Sequence, residues 1–260
     1  HQGCDNLAPR LRTHAPSVRS IRAEGVPHTL SPSNYAGSVT RLILASQSPA
    51  RTKLLGNAGI AHEVLVSDVD EDAVQARYGV TDPHDTALLL ARAKAEAVAS
   101  LPETDGALVL GCDSVFEFDG EAHGKPYTAD VAKERMLRMS GRMGVLHTGH
   151  WLVDCRDTDA EENPGTGATL GAVSSAEVHF MEMSEDEIDT YIATGEPLQC
   201  AGSFTIDGYG GAFIRKVDGD PHTVVGLSIS TLRGLLGQAK VNVTELWTGG
   251  AADPADIRAE

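Results

Sequence analysis

Leu42-Ile43-Leu44-Ala45-Ser46-Gln47-Ser48-Pro49-Ala50-Arg51 is the stretch whose reading decides the fold. Its four leading apolar residues show no alternation and suit a short strand buried on both faces. Pro49 suits the first turn of a helix, where its missing N–H would be unpaired in any case. Leu54, Leu55 and Ala58 supply an apolar helical face, and Gly59 can end it. A buried strand running straight into a helix is the opening unit of an α/β fold. The turn between them offers free backbone N–H groups and the positive end of a helix dipole to an anion. Ser46 and Ser48 add hydroxyls, and Arg51 adds a guanidinium able to make a forked contact with phosphate. Helix capping alone would also account for the serines.

Outward from this unit, strands and helices continue to interleave. Glu63 to Val66 reads as a strand, and Asp82-Pro83 opens a helix with Ala87, Leu90, Ala91, Ala95 and Val98 on its apolar face. Ala107–Gly111 and Ser114–Phe118 read as strands, with a hairpin at Asp119-Gly120. A helix over Thr128–Ser140 and a strand over Val145–Asp154 follow, then a solvated loop from Asp157 to Gly171. Val173–Met181 is a strand. Ser184 and Glu187 form a capping box for a helix through Tyr191 that stops at Gly195. Gly211–Val217 is a strand, and Ser230 can cap a last helix carrying Leu232, Leu235, Leu236 and Ala239. The expected class is α/β, a mixed β-sheet flanked by helices. Residues 1–38 are rich in Pro, Ser, Arg and His without apolar period and read as a disordered tail. The domain is expected over 39–247, with a C-terminal tail over 248–260.

Composition narrows the function. With 21 basic and 37 acidic residues the net charge is −16, a field that would repel a nucleic-acid polymer. A small anion remains compatible if a few bases converge. No apolar run approaches the ~18 residues of a membrane span, and no apolar leader is visible, so a cytoplasmic protein is expected. Cys4, Cys112, Cys155 and Cys200 are scattered, which suits reduced thiols rather than a zinc ribbon or a disulfide framework.

Several residues could carry chemistry. Asp113, in Gly111-Cys112-Asp113-Ser114, stands at the end of an apolar run, where open α/β sheets bind ligands. It could bind a divalent metal or take a proton from water; a turn-capping Asp is the plainer alternative. Lys125 is held between Gly124 and Pro126 after a hairpin and suits an ammonium aimed at phosphate, or an exposed turn lysine. The acidic run Asp68-Val69-Asp70-Glu71-Asp72 offers hard oxygen ligands for Mg²⁺, though a solvated loop explains most of it. Lys94 lies at the border of an apolar helical face and either snorkels or points into a cleft. No H-x-x-x-H helix, Walker A sequence or Gly-x-Ser-x-Gly elbow occurs. His147 and His150 would face opposite sides of a strand. Trp151 and Trp247 read as packing residues.

Together these blocks resemble the Maf family of nucleoside triphosphate pyrophosphatases, historically linked to septum formation. Residues 42–51, Val69-Asp70-Glu71, Leu90–Ala95, Gly111–Ser114 and Gly124-Lys125-Pro126 stand in the family's order. So do Ser140-Gly141-Arg142, His147-Thr148-Gly149, Tyr191, Gly195-Glu196-Pro197, Ala201-Gly202, Ile206-Asp207-Gly208 and Val225-Gly226-Leu227. The resemblance implies an elongated α/β fold with a central cleft, related to the inosine triphosphate pyrophosphatases, and a homodimer. It implies hydrolysis of the α–β phosphoanhydride to a nucleoside monophosphate and pyrophosphate with Mg²⁺, Mn²⁺ or another divalent ion. It places Asp113 as proton acceptor, Glu71 and Asp113 at the metal, and Ser46, Ser48, Arg51, Lys94 and Lys125 around phosphate. Ala50, Ser114 and Asp207 match positions tied to base preference and depart from the commoner family residues. A broader or different nucleotide range is therefore expected. A nucleotide-binding regulator of cell division is the alternative reading.

Overall fold

The computed structural model describes residues 40–248. Both expected tails, 1–38 and 248–260, lie outside the described residues apart from Thr248. A seven-stranded mixed sheet forms the centre. Its strands are β1 (Arg41–Ala45), β2 (Glu63–Val64), β3 (Ala107–Phe118), β4 (Glu121–His123), β5 (Met143–Asp154), β6 (Thr169–Phe180) and β7 (Ile214–Asp218). Its helices are α1 (Pro49–Asn57), α2 (Glu71–Tyr78), α3 (Pro83–Ala99), α4 (Ala129–Met139), α5 (Glu185–Ala193), α6 (Pro221–Val225) and α7 (Ile229–Gln238). The sheet order is β2-β1-β3-β5-β6-β7, with β4 paired to the far end of β3. β1 runs parallel to β2 and β3, whereas β3, β5, β6 and β7 form an antiparallel meander.

Alternation along β3 sorts the helices onto two faces. Leu108, Leu110 and Cys112 pack with Leu54 and Leu55 of α1 and Leu235 and Leu236 of α7. Further along the same face, Phe116 and Phe118 pack with Met136 and Met139 of α4 and Ile188, Tyr191 and Ile192 of α5. On the opposite face, Ala107 and Val109 meet Val98 of α3. That helix lies hard against the sheet. A Cβ at Gly111 would stand 2.2 Å from the Ala91 carbonyl oxygen, and one at Gly149 2.2 Å from that of Ala87. Two cross-strand neighbours lacking side chains thus set the depth of α3.

β1 ends with Ala45 opposite Gly111, while β4 ends with His123 opposite Phe116. Between these partners, residues 112–115 of β3 have a strand neighbour only on the β5 side among the described residues. The sheet is open there at the carboxyl end of β1, the position at which α/β sheets receive ligands.

The structure corrects several sequence expectations. β3 is one continuous strand, because Cys112 through Val115 pair with His150 through His147 of β5. Asp113 is therefore a mid-strand residue rather than a turn residue. Asp68 to Asp70 of the acidic run are irregular, but Glu71 and Asp72 open a helix. Asp70 caps α2 by accepting from the Ala73 N–H at 3.0 Å, and Glu71 is its first residue. α2 buries no residue, so it left no apolar period to read. The cap of α7 is Ser228, whose hydroxyl accepts from the Thr231 N–H at 3.0 Å; Ser230 lies inside the helix. The loop from Asp157 is tethered rather than freely solvated, since buried Asp154 accepts from Arg156 and from the Thr166 N–H and hydroxyl. β6 consequently starts four residues earlier than expected, at Thr169 rather than Val173.

Candidate active site

The cleft at the end of β1 is built from opposite sides. On one side stands the N-terminus of α1. Ser48 caps it, accepting from the Arg51 N–H at 3.5 Å, while Ser46 Oγ accepts from the Ser48 N–H at 3.2 Å. Arg51 is only 8% exposed and points back across this turn. Its Nε donates to the Gly226 carbonyl at 2.6 Å, Nη1 to Ser46 Oγ at 3.0 Å and Nη2 to Ser114 Oγ at 3.1 Å. All these acceptors are neutral. Among the described residues no carboxylate forms an ion pair with Arg51, so its charge is left for an anion. One N–H on each terminal nitrogen also remains for a forked contact. The Ser46 and Ser48 hydroxyls are thus committed to shaping the turn as well as facing the cleft.

A hydroxyl relay holds Arg51 in place. Thr148, fully buried, donates to the Thr223 carbonyl at 2.8 Å. Its one proton is then spent, so Ser114 must donate to Thr148 across 2.9 Å and present lone pairs to Arg51. Gly226 closes the ring of acceptors at φ 116°, a left-handed conformation that side chains disfavour. A Cβ there would stand 3.3 Å from Arg51 Nε.

On the other side, α3 lays Lys94 over β3. Lys94 Nζ stands 2.5 Å from Asp113 Oδ1 and 2.7 Å from Glu71 Oε1, with α2 packed on α3 to deliver Glu71. The Lys94 side chain is 13% exposed and that of Asp113 11%, so the pair is largely dry. Burial opposes the Lys94 ammonium, but Asp113 and Glu71 outweigh it and hold its pKa above the ordinary lysine value. Burial likewise pushes Asp113 above the usual carboxylate range, with Glu71 adding to the rise and Lys94 and Arg51 offsetting it only in part. A carboxylate so poised can accept a proton nearer neutral pH than a free Asp. The same two carboxylates suit a divalent cation. They converge on one point, and Mg²⁺ is commonly held by one or two carboxylates with waters completing its shell.

The structure therefore brings together Ser46, Ser48, Arg51 and Ser114 on one side and Glu71, Lys94 and Asp113 on the other. Ala50, half-buried, is in the first turn of α1. Lys125 and Asp207 are exposed, and no hydrogen bond or ion pair links either to the Asp113 cluster among the described residues. Asp207 accepts from the Thr205 hydroxyl. Both lie near Cys200, whose thiol is pushed up to about 11 by burial and by Glu196 and Asp207, against the pull of Lys125. Sequence reasoning missed Thr148, Gly226 and His150 as parts of the site. His150 is fully buried, accepts from the Ser228 N–H at 2.8 Å, and is held down at about 4 by burial and by Arg51, so it stays neutral. Its polarity inside an apolar strand was the one available signal.

The site is thus a mixed α/β sheet opened at one strand end, with a buried arginine that has no carboxylate partner among the described residues and a Lys94-bridged carboxylate pair close by. Residues 41–239 match the family of Maf-like proteins, and the chain belongs to that family. It is 51% identical over 214 residues to a nucleoside triphosphate pyrophosphatase of Leifsonia xyli subsp. xyli, covering 80% of this chain and 96% of the relative. It is 50% identical over 207 residues to a nucleoside triphosphate pyrophosphatase of Streptomyces coelicolor, covering 80% and 94%. A solved nucleoside-triphosphatase (dITP/XTP pyrophosphatase) of Mycobacterium abscessus aligns over 77% of this chain and 95% of its own at 11% identity, with a TM-score of 0.33. That superposition is too loose to bear on fold or function.

Proposed function

We propose that this protein hydrolyses the α–β phosphoanhydride of nucleoside triphosphates, releasing a nucleoside monophosphate and pyrophosphate. The observation that carries the reading is the buried Arg51, with no carboxylate partner among the described residues, beside the Glu71–Lys94–Asp113 cluster at the open end of β1. Relatives about half identical over nearly their whole length carry the name of that activity.

Phosphoryl transfer asks mainly for positioning and charge stabilisation. Arg51 and the α1 N-terminus hold phosphate oxygens in line with Asp113. Lys94 supplies a further positive charge, and Lys125 reaches the phosphates from the neighbouring loop. Asp113 takes a proton from the attacking water. The water oxygen bonds to the α-phosphorus, the bond to the bridging oxygen breaks, and that oxygen leaves on pyrophosphate. Glu71 and Asp113 would hold a divalent cation, Mg²⁺ or Mn²⁺, which when bound would neutralise phosphate charge. Ala50 and Asp207 are assigned to the base on the family resemblance, and the acceptor-only Asp207 favours a base edge with N–H donors. Ser114 would act on preference through Arg51, which it contacts. We extend the reading to a cytoplasmic homodimer. No helix among the described residues is long and apolar enough to cross a membrane, and the dimer rests on the family resemblance.

The test is release of pyrophosphate from a panel of normal and modified nucleoside triphosphates with Mg²⁺ and Mn²⁺. Monophosphate and pyrophosphate in equal amounts are expected. Absence of turnover across the panel would overturn the activity.

A further inference from the structure

Lys94 occupies the point at which Glu71 and Asp113 converge. Its ammonium is within 2.7 Å of both carboxylates and is largely shielded from water. A divalent cation bound by those two carboxylates needs oxygens at about 2.0–2.1 Å for Mg²⁺. It would then stand almost on the Lys94 nitrogen, and two cations cannot share one point. The lysine stem is flexible and can carry its charge elsewhere, whereas Asp113 is fixed in β3 and Glu71 at the start of α2.

We infer that Lys94 is a resident stand-in for the divalent cation. It holds Glu71 and Asp113 together in the metal-free protein and is expelled when the cation binds. The expelled ammonium becomes a phosphate ligand only then. Metal and triphosphate therefore strengthen each other's binding, since each favours the state in which Lys94 has left the carboxylates. This inference rests on the assignment of Glu71 and Asp113 as the cation's seat, but not on turnover.

The test measures Mn²⁺ binding directly, by the spectroscopic signal of free Mn²⁺, on the full chain without nucleotide. Lys94→Met removes the competitor while keeping the apolar stem. Its Kd for Mn²⁺ is expected to fall on the order of tenfold relative to the parent. An unchanged or weaker Kd, or no Mn²⁺ binding by either protein, would overturn the inference. A second readout uses the unmutated protein, in case the variant does not fold. Mg²⁺ should raise the acetylation of Lys94 by acetic anhydride several-fold, read by mass spectrometry against the remaining lysines; no selective rise at Lys94 contradicts the exchange. Triphosphate turnover is assayed separately, on the unmutated protein. Tighter Mn²⁺ binding without turnover would sink the proposed activity alone, and turnover with an unaltered Kd would sink the Lys94 exchange alone.

Discussion

At the residue scale, the proposed reaction divides its work between Asp113 and Arg51. Asp113 is a buried acid whose pKa burial has raised, and Arg51 is a buried cation met, among the described residues, by neutral oxygens. Asp113→Asn keeps the shape and removes the proposed proton acceptor. Turnover should fall about 10²–10⁴-fold, as general-base losses do, with a melting temperature within a few degrees of the parent. Steady-state kinetics and a thermal melt check both. On the acid side, kcat/KM of the parent should decline as the pH drops through the raised Asp113 value, since protonation removes the base. His150 gives a stability prediction with a defined window. Folded, it binds a proton only below about 4, against about 6.5 unfolded. The unfolded chain therefore holds more protons between those values, and stability is lost as pH falls across them. The loss is on the order of 3 kcal/mol, and His150→Gln should flatten it in denaturant titrations run across that range. The residue types at the site were legible, because Ser-x-Ser-Pro after a buried strand and an acid after an apolar run each imply chemistry. Their partners were not, since Ser114 and Gly226 reach Arg51 from 63 and 175 positions away.

At the element scale, α3 and β3 decide whether the site exists. Gly111 and Gly149 let the α3 backbone settle on the sheet and aim Lys94 at Asp113. Gly149→Ala should cost about 1–3 kcal/mol, the usual penalty of overpacking. It should also lower turnover by more than the loss of folded protein explains, because α3 must lift away from Asp113. Comparing folded fraction by circular dichroism with activity per folded molecule checks this. The same elements show where local sequence misleads. Gly-Cys-Asp-Ser looks like a break between two strands, yet β5 pairs with it throughout and makes one strand. α2 carries a good Asp cap but no apolar face, so periodicity could not reveal it. The capping box at Ser184 and the Asp82-Pro83 start were legible because those signals are local.

At the scale of the whole molecule, a net charge of −16 surrounds a cleft whose one uncancelled buried cation is Arg51 among the described residues. An acidic protein acting on a polyanion needs added positive charge. Chelation of divalent ions should therefore abolish turnover, and adding back Mg²⁺ should restore it, measured by pyrophosphate release before and after. The interleaved pattern was sufficient for the α/β class, but the open gap beside residues 112–115 depends on where β1 and β4 stop, which only tertiary pairing sets. In the proposed reaction Asp113, in that gap, directs water to the α-phosphorus. The most direct measurement is mass analysis of products formed in ¹⁸O-labelled water by the parent and by Asp113→Asn. Label is expected in the monophosphate, with unlabelled pyrophosphate and near-complete loss of both products in the variant. A nucleoside diphosphate with inorganic phosphate, or an Asp113→Asn enzyme as active as the parent, would contradict it.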